Sequence, residues 1–487
     1  MFDMLIDFLG ESGFGQFHWS NGVMLLIGLL FIYLAVKKGF EPMLLIPIGF
    51  GMLLGNIPYD TSKLSVGVYD GPVSEEDLAY YASENGTWID STYFGPWELI
   101  YTPTEEEQAR NRVSHQPYLF QDRVSKGEAV MVNASAKLYH PTTVTEPGVI
   151  QLHQGRKVLA IEQAPDDRYP IVVSPEGQNP WKAGIFWMLF RGVEWGFYPP
   201  LIFLGIGALT DFGPLLANPR SILLGAAAQL GIFGALTAAI LFGFTPAEAG
   251  SIGIIGGADG PTAIFVATKL APDLLGAIAL SAYSYMALVP IIQPPIMKLL
   301  TTREERLIRM EAPKEASRTL RIAFPILAFI LTAFIANGAL PLLGMLFFGN
   351  LLRESLVTER LAKTASTAFI DIITILLGLT VGAKTQASTF LTPQTLYIFV
   401  LGVVAFSVST AGGVLFGKIM NRLSKTPVNP LIGAAGVSAV PMSARVVQKV
   451  ANQEDPQNYL LMQAMGPNVA GVIGSAIAAG VLISYLS

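Results

Sequence analysis

The chain has no cysteine among its 487 residues. Disulfides, thiolate metal sites and thiol nucleophiles are therefore excluded together. Histidine is almost as scarce. Of four, His115, His140 and His153 fall in one polar stretch and His18 precedes the first apolar run, which leaves the apolar part without a histidine relay or zinc site. Charge is thin as well, at 14% of residues against 52% hydrophobic, and the net charge of -5 gives no footing for nucleic acid. The start, Met-Phe-Asp-Met-Leu-Ile-Asp, lacks the basic region and cleavage site of a secretory signal, so the first apolar segment is expected to stay in the mature protein.

What is abundant is apolar sequence punctuated by 48 glycines and 32 prolines. Runs suited to crossing a bilayer lie near 22–36, 43–57, 184–209, 222–242, 274–300, 322–343, 367–382, 396–420 and 459–485, several of them short for a 30 Å hydrocarbon core. Two more, near 249–270 and 429–450, are rich in Gly, Pro and small polar residues and read as re-entrant or discontinuous helices. This predicts an all-α polytopic membrane protein with nine to eleven membrane segments. Its parts are first spans at 1–58, an insertion at 59–182, a first membrane half at 183–300, a linker at 301–321 and a second half at 322–487.

The stretch 60–181 carries 18 acidic and 9 basic side chains. Its short β-prone runs, such as Lys157-Val-Leu-Ala-Ile-Glu162 and Pro170-Ile-Val-Val173, suggest a small strand-rich extra-membrane domain, with an extended polar loop as the simpler reading. The linker 301–321 holds six basic residues against four glutamates, which by the positive-inside rule places it in the cytoplasm. Lys37 and Lys38 put the first short loop on the same side, and the acidic insertion outside.

Within some fifty residues nearly free of charge stands Asp259, in Gly256-Gly-Ala-Asp-Gly-Pro-Thr262. The run is no phosphate loop, since no Gly-Lys-Ser/Thr follows. An ionised Asp at mid-bilayer costs at least about 2.5 to 3.5 kcal/mol and needs a cation, a proton or donors. Helix breaks at membrane depth survive only where the freed backbone is buried in protein or lines a cavity. The segment from Thr245-Pro246 to Pro261 can be laid over Thr426-Pro427 to Pro441, and eight residues beyond each final proline comes a lysine, Lys269 and Lys449. Paired broken segments in two halves mark transporters with structural repeats and a midplane site.

The two segments together offer hard oxygen donors suited to sodium: Asp259 and Thr262 from one, Asn429, Ser438 and Ser443 from the other, with backbone carbonyls near Gly256, Gly257 and Gly433. Tyr283, Tyr285 and Asn468 lie in adjoining spans. For a single hydroxyl, an ordinary interhelical hydrogen bond is the simpler alternative. Arg445 is the cation best placed to fork onto a carboxylate, with a snorkelling arginine as its plain alternative. Asp371 is a second candidate carboxylate, while Asp211, Arg191 and Glu194 are expected to pair with one another near a span end.

Gly256-Gly-Ala-Asp-Gly-Pro-Thr262, the run from Ala282-Tyr-Ser-Tyr to Lys298, and Asn429-Pro-Leu-Ile-Gly-Ala-Ala-Gly-Val-Ser-Ala-Val-Pro441 resemble the beta subunits of sodium-translocating, biotin-dependent decarboxylases. The likeness covers about 184–487 and the first two spans, and the family's segment before the third span is shorter than 60–181. The resemblance implies a subunit of a primary pump in a bacterial or archaeal cytoplasmic membrane that decarboxylates carboxybiotin and exports sodium. It also implies two inverted repeats, elevator-like movement and a trimeric core. Its partners would be a biotin-carrying carboxyltransferase alpha subunit and a small membrane gamma subunit. Carried over by position, the family's aspartate falls on Asp259, its tyrosine on Tyr285, its second motif on Asn429, Gly433, Ser438 and Arg445, and its last-span asparagine on Asn468. Asp259 with Asn429 and Asn468 would hold one sodium ion, Ser438 with Tyr285 would help hold a second, and Arg445 would meet carboxybiotin. Two rivals follow from the residues alone: a secondary sodium-coupled carboxylate transporter, and an intramembrane aspartyl protease using Asp259 and Asp371.

Overall fold

A computed structural model describes residues 17–57, 185–311 and 315–486, together with short strands between 99 and 173. It divides into two compact units, one of residues 1–16 and 59–188, the other of 17–58 and 189–487. In the first unit the described segments before residue 185 are six strands in two antiparallel three-stranded sheets. One is built from Leu99–Ile100, Pro170–Val173 and Glu162–Gln163, the other from Pro141–Glu146, Val149–Leu152 and Lys157–Leu159. The remainder of the insertion, and with it the reading of 59–182 as a small domain, lies outside the described residues.

The second unit is helical throughout. Its principal helices are α1 (Trp19–Lys38), α2 (Pro42–Asn56), α3 (Ile185–Glu194), α4 (Tyr198–Leu209), α5 (Ser221–Ala228), α6 (Leu230–Leu241), α7 (Pro246–Gly253), α8 (Gly260–Leu270), α9 (Leu275–Leu300), α10 (Arg318–Ile335), α11 (Leu340–Glu354), α12 (Ile370–Lys384), α13 (Pro393–Leu423), α14 (Met442–Glu454) and α15 (Leu461–Leu486). Among the described residues seven helices, counting 221–241 and 359–384 as single spans, are long and apolar enough to cross a membrane, and α2 and α4 are shorter apolar helices.

Two expected spans are divided. The run 184–209 bends between α3 and α4, where Gly196 takes a left-handed φ of 68° that a Cβ would oppose. The run 322–343 stops at Ile335, passes through a 3-10 turn at Asn337–Ala339 and restarts as α11, a helix longer than its sequence suggested. Asn337 and Gly338 are poor helix formers, and Pro341 in the first turn of α11 suits a new start. A lipid-like core offers little hydrophobic drive between helices, so packing density carries association. Accordingly α2 lies against α12 and α4 against α11 almost backbone to backbone. A Cβ on Gly207 would sit 1.9 Å from the Leu346 carbonyl, and one on Gly349 2.1 Å from that of Leu204.

Candidate cation site at the crossing of two helix breaks

The first break is built by local sequence. Thr245 caps α7 through a reciprocal capping box with Glu248. The chain then tightens into a 3-10 turn at Ile254–Gly257, and Ala258 adopts a left-handed φ of 52°. Asp259 becomes the N-cap of α8, its Oδ1 accepting the Thr262 amide at 3.2 Å, with Pro261 in the first turn, where no intrahelical donor is needed. Gly260 is required by approach: a Cβ there would be 2.4 Å from the Tyr283 ring on α9. Asp259 is 5% exposed, and its second oxygen accepts the Ser475 hydroxyl of α15 at 2.9 Å. Among the described residues its hydrogen-bond donors are thus an amide and a hydroxyl, and no cationic side chain is one of them.

The second break is longer and carries no charge. Asn429 caps a seven-residue 3-10 stretch, Pro430–Gly436, its Oδ1 accepting the Leu431 amide at 3.0 Å. Backbone then runs extended through Val437 before α14 begins. The two breaks meet directly, with the Ser438 amide donating to the Gly257 carbonyl at 2.9 Å. The Ser438 hydroxyl donates to the Ser475 hydroxyl at 3.1 Å, so Ser438, Ser475 and Asp259 form a buried chain. One helical face of α15 carries both Ser475 and Asn468, seven residues and about 10 Å apart by helix rise. The Asn468 amide donates to the carbonyls of Ala435 (3.0 Å) and Val437 (2.9 Å) and to the Ser443 hydroxyl (2.8 Å). Its Oδ1 is buried and has no hydrogen-bond partner among the described residues, an acceptor left for a cation or a water.

Four of the sequence candidates point elsewhere. The Tyr285 hydroxyl donates to the Phe399 carbonyl and its ring packs on Gly402 of α13, so Tyr283 is the tyrosine that lines the Asp259 turn. Gly433 serves a backbone crossing, where a Cβ would meet the Gly413 carbonyl at 2.0 Å. The Asn429 amide faces the carbonyls of Arg306 and Ile308 in the linker. Arg445 is exposed on the first turn of α14, on the outside of the second break. Burial pushes the Glu41 carboxyl above the ordinary carboxylate range, and the positive charge of Arg445 acts against that shift. Arg191 and Glu194 pair at 2.7 Å as expected, whereas Asp211 faces Arg321 across 3.4 Å. Asp371 is half-buried in the first turn of α12 and is not among the hydrogen-bond partners of Asp259.

Sequence reasoning missed Ser475, the residue that joins the two breaks. The signal was there in its seven-residue spacing from Asn468, which puts both on the face of α15 that carries Gly471. It also missed Ser409, whose hydroxyl donates to the Gly256 carbonyl at 2.7 Å, and Gln293, whose amide donates to that of Ala434 at 2.9 Å. These two satisfy carbonyls that the breaks set free. The oxygen-rich set of carboxylate, hydroxyls and an amide carbonyl suits a hard monovalent cation.

Comparison with known proteins agrees with that chemistry. The family described as the Na+-transporting oxaloacetate decarboxylase beta subunit matches residues 20–486. A probable oxaloacetate decarboxylase beta chain of Vibrio cholerae is 48% identical over 482 residues, 97% of each chain. A methylmalonyl-CoA decarboxylase subunit beta of Propionigenium modestum is 45% identical, covering 99% of each, and a glutaconyl-CoA decarboxylase subunit beta of Acidaminococcus fermentans is 42% identical over 99% of this chain and 97% of its own. The chain therefore belongs to the family of beta subunits of Na+-transporting decarboxylases, the multi-pass membrane components of sodium pumps.

Proposed function

We propose that Asp259 with the Ser438 and Ser475 hydroxyls holds the transported sodium ion, that the Asn468 Oδ1, about 10 Å away along α15, serves a second cation or a water, and that this chain couples sodium export to decarboxylation of carboxybiotin. The observation that carries the reading is a nearly fully buried carboxylate at the meeting point of two helix breaks, with a hydroxyl and an amide as donors and no cationic side chain among its described hydrogen-bond partners. A carboxylate so placed is neutralised by a bound ion or a proton, and exchange between the two is what a sodium carrier requires.

The relatives are named for three different acids, oxaloacetate, methylmalonyl-CoA and glutaconyl-CoA. A membrane subunit common to three acids handles what they share, a carboxyl group carried on biotin, and a partner alpha subunit selects the acid. For this chain oxaloacetate is favoured by the higher identity to the chains so named. In the coupled step the bond between a biotin ring nitrogen and the carboxyl carbon breaks, carbon dioxide leaves, and the nitrogen takes a proton. Arg445, exposed at the start of α14, is suited to orient the carboxylate through its planar fork, and losing that anion beside Arg445 changes the charge next to the second break. A ligand moves a carrier only through its different affinities for the two states.

The two breaks, aligned in sequence and hydrogen-bonded to one another, support a pair of inverted repeats whose hairpins move together as the carrier, elevator fashion. A homotrimer, a biotin-carrying alpha subunit on the cytoplasmic side of the basic linker and a small gamma subunit complete the assembly. In liposomes holding the full chain with its partner subunits, the parent should decarboxylate carboxybiotin only with sodium present and accumulate sodium, and Asp259→Asn should do neither. Wild-type sodium stimulation in Asp259→Asn would sink the reading. Uptake of a carboxylate by the chain alone, without any biotinyl partner, would favour a secondary transporter instead.

A further inference from the structure

Residues 301–311 lead out of the last turn of α9 and lie strapped along the second break. Two buried asparagines grip the same two carbonyls. Asn429 Nδ2 donates to Arg306 and Ile308 at 3.0 and 2.8 Å, and Asn458 Nδ2 donates to both at 3.2 Å. Asn429 is 0% and Asn458 1% exposed. Around this clamp, Arg306 Nε donates to Glu454 at 2.8 Å and its Nη1 to the Thr301 carbonyl at 2.6 Å. Arg309 reaches Asp455 at 2.7 Å, and Gln463 donates to the Glu311 carbonyl at 2.9 Å. With Oδ1 accepting the Leu431 amide and Nδ2 donating to the strap, both polar atoms of the Asn429 side chain are engaged.

We infer that Asn429 is a positioning residue that, with Asn458, fastens the linker to the second break so that the two move as one body, and that it is not a ligand of the transported ion. An amide that donates twice to carbonyls and accepts a backbone amide has both hydrogens and one of its two oxygen lone pairs committed to the fold, and Asn429 shares no hydrogen-bond partner with Asp259, Ser438 or Ser475 among the described residues. The strap also joins the end of the first membrane half to the hairpin of the second, so releasing it would uncouple their motion while leaving the Asp259 site intact. The assignment goes beyond the sodium site and does not rest on it, because the fastening has its own readout.

The test compares Asn429→Ala with Asn458→Ala in the full-length protein. Two measurements are made: hydrogen–deuterium exchange of amides in 303–311, and the sodium concentration giving half-maximal thermal stabilisation. Both variants should exchange these amides at least tenfold faster than the parent while the half-saturating sodium stays within twofold. If Asn429→Ala raises half-saturating sodium tenfold or more with 303–311 exchanging as in the parent, Asn429 is an ion ligand and the inference is overturned. Should Asn429→Ala not fold, Asn458→Ala decides alone: unchanged exchange in it overturns the clamp. A parent that sodium does not stabilise would count against the Asp259 site, and the exchange result would still judge the clamp.

Discussion

The two helix breaks start from similar sequence and do different work. The first spends four residues in a tight turn, sets Ala258 left-handed and delivers one carboxylate as the cap of α8. The second spends seven residues in a 3-10 stretch, carries no charge, and presents freed carbonyls that Asn468, Gln293 and Ser443 occupy. One break supplies the charge and the other supplies the frame, and Ser475 bridges them. The comparison teaches that a repeat in sequence does not give equal shares of a site: a single Asp at one cap position is enough to polarise the pair.

The sharpest way to break this comparison is to take the charge from the first break. Asp259→Asn should abolish measurable sodium stabilisation and sodium-dependent turnover, a loss of at least a hundredfold, while the protein still folds, since Asn is as good an N-cap as Asp. Thermal shift against sodium concentration measures it. Next is the frame. Asn468→Ala takes the amide donor from the Ala435 and Val437 carbonyls, leaves the single Ser443 hydroxyl to serve one of them, and should cost about 1 to 3 kcal/mol of stability, by the penalty for a buried group left unsatisfied. It should lower the melting midpoint in sodium-free buffer, which separates it from a simple loss of ion affinity. Ser475→Ala removes one donor and one oxygen between the breaks, and should weaken sodium about five- to tenfold, near 1 kcal/mol, with the midpoint in sodium-free buffer moved little.

Much of this was legible in the sequence, for stated physical reasons. Asp259 stood out because an isolated charge in apolar sequence has to be explained, and glycines with a proline mark a broken helix. The identity of the frame was harder. Asn429, Tyr285 and Gly433 lie in or beside the motifs, yet a side chain's direction depends on which helix lies behind it, and neither the Gly433 crossing with Gly413 nor the Phe399 carbonyl near Tyr285 can be read from spacing. Ser475 was hidden by its setting, Gly474-Ser475-Ala476, where a small polar residue in a small-residue run looks like packing. The division of 322–343 was missed because Asn337 and Gly338 occur inside a continuous apolar stretch, and hydropathy alone does not register a backbone turn.

The smallest expected effect tests whether the strap along the second break depends on charge or on its two asparagines. The Asp455 carboxyl is held below the ordinary carboxylate range, first by the Gln457 amide that it accepts and then by the Arg309 guanidinium. A carboxylate whose folded value is depressed contributes its stabilisation above the unfolded value and loses it as pH falls through the folded one. The contribution is therefore complete and flat from about pH 5 upward and fades only in acid, below the reference value near 3.9. Arg309 is well exposed, so solvent and salt screen the pair. Arg309→Ala should leave exchange of the 303–311 amides between pH 6 and 8 within about twofold of the parent once intrinsic exchange is corrected for, against the tenfold change expected of Asn458→Ala. Equal effects of the two would mean that the strap is held by its salt bridges, and the contrast between a charged first break and an uncharged, amide-held second break would fail.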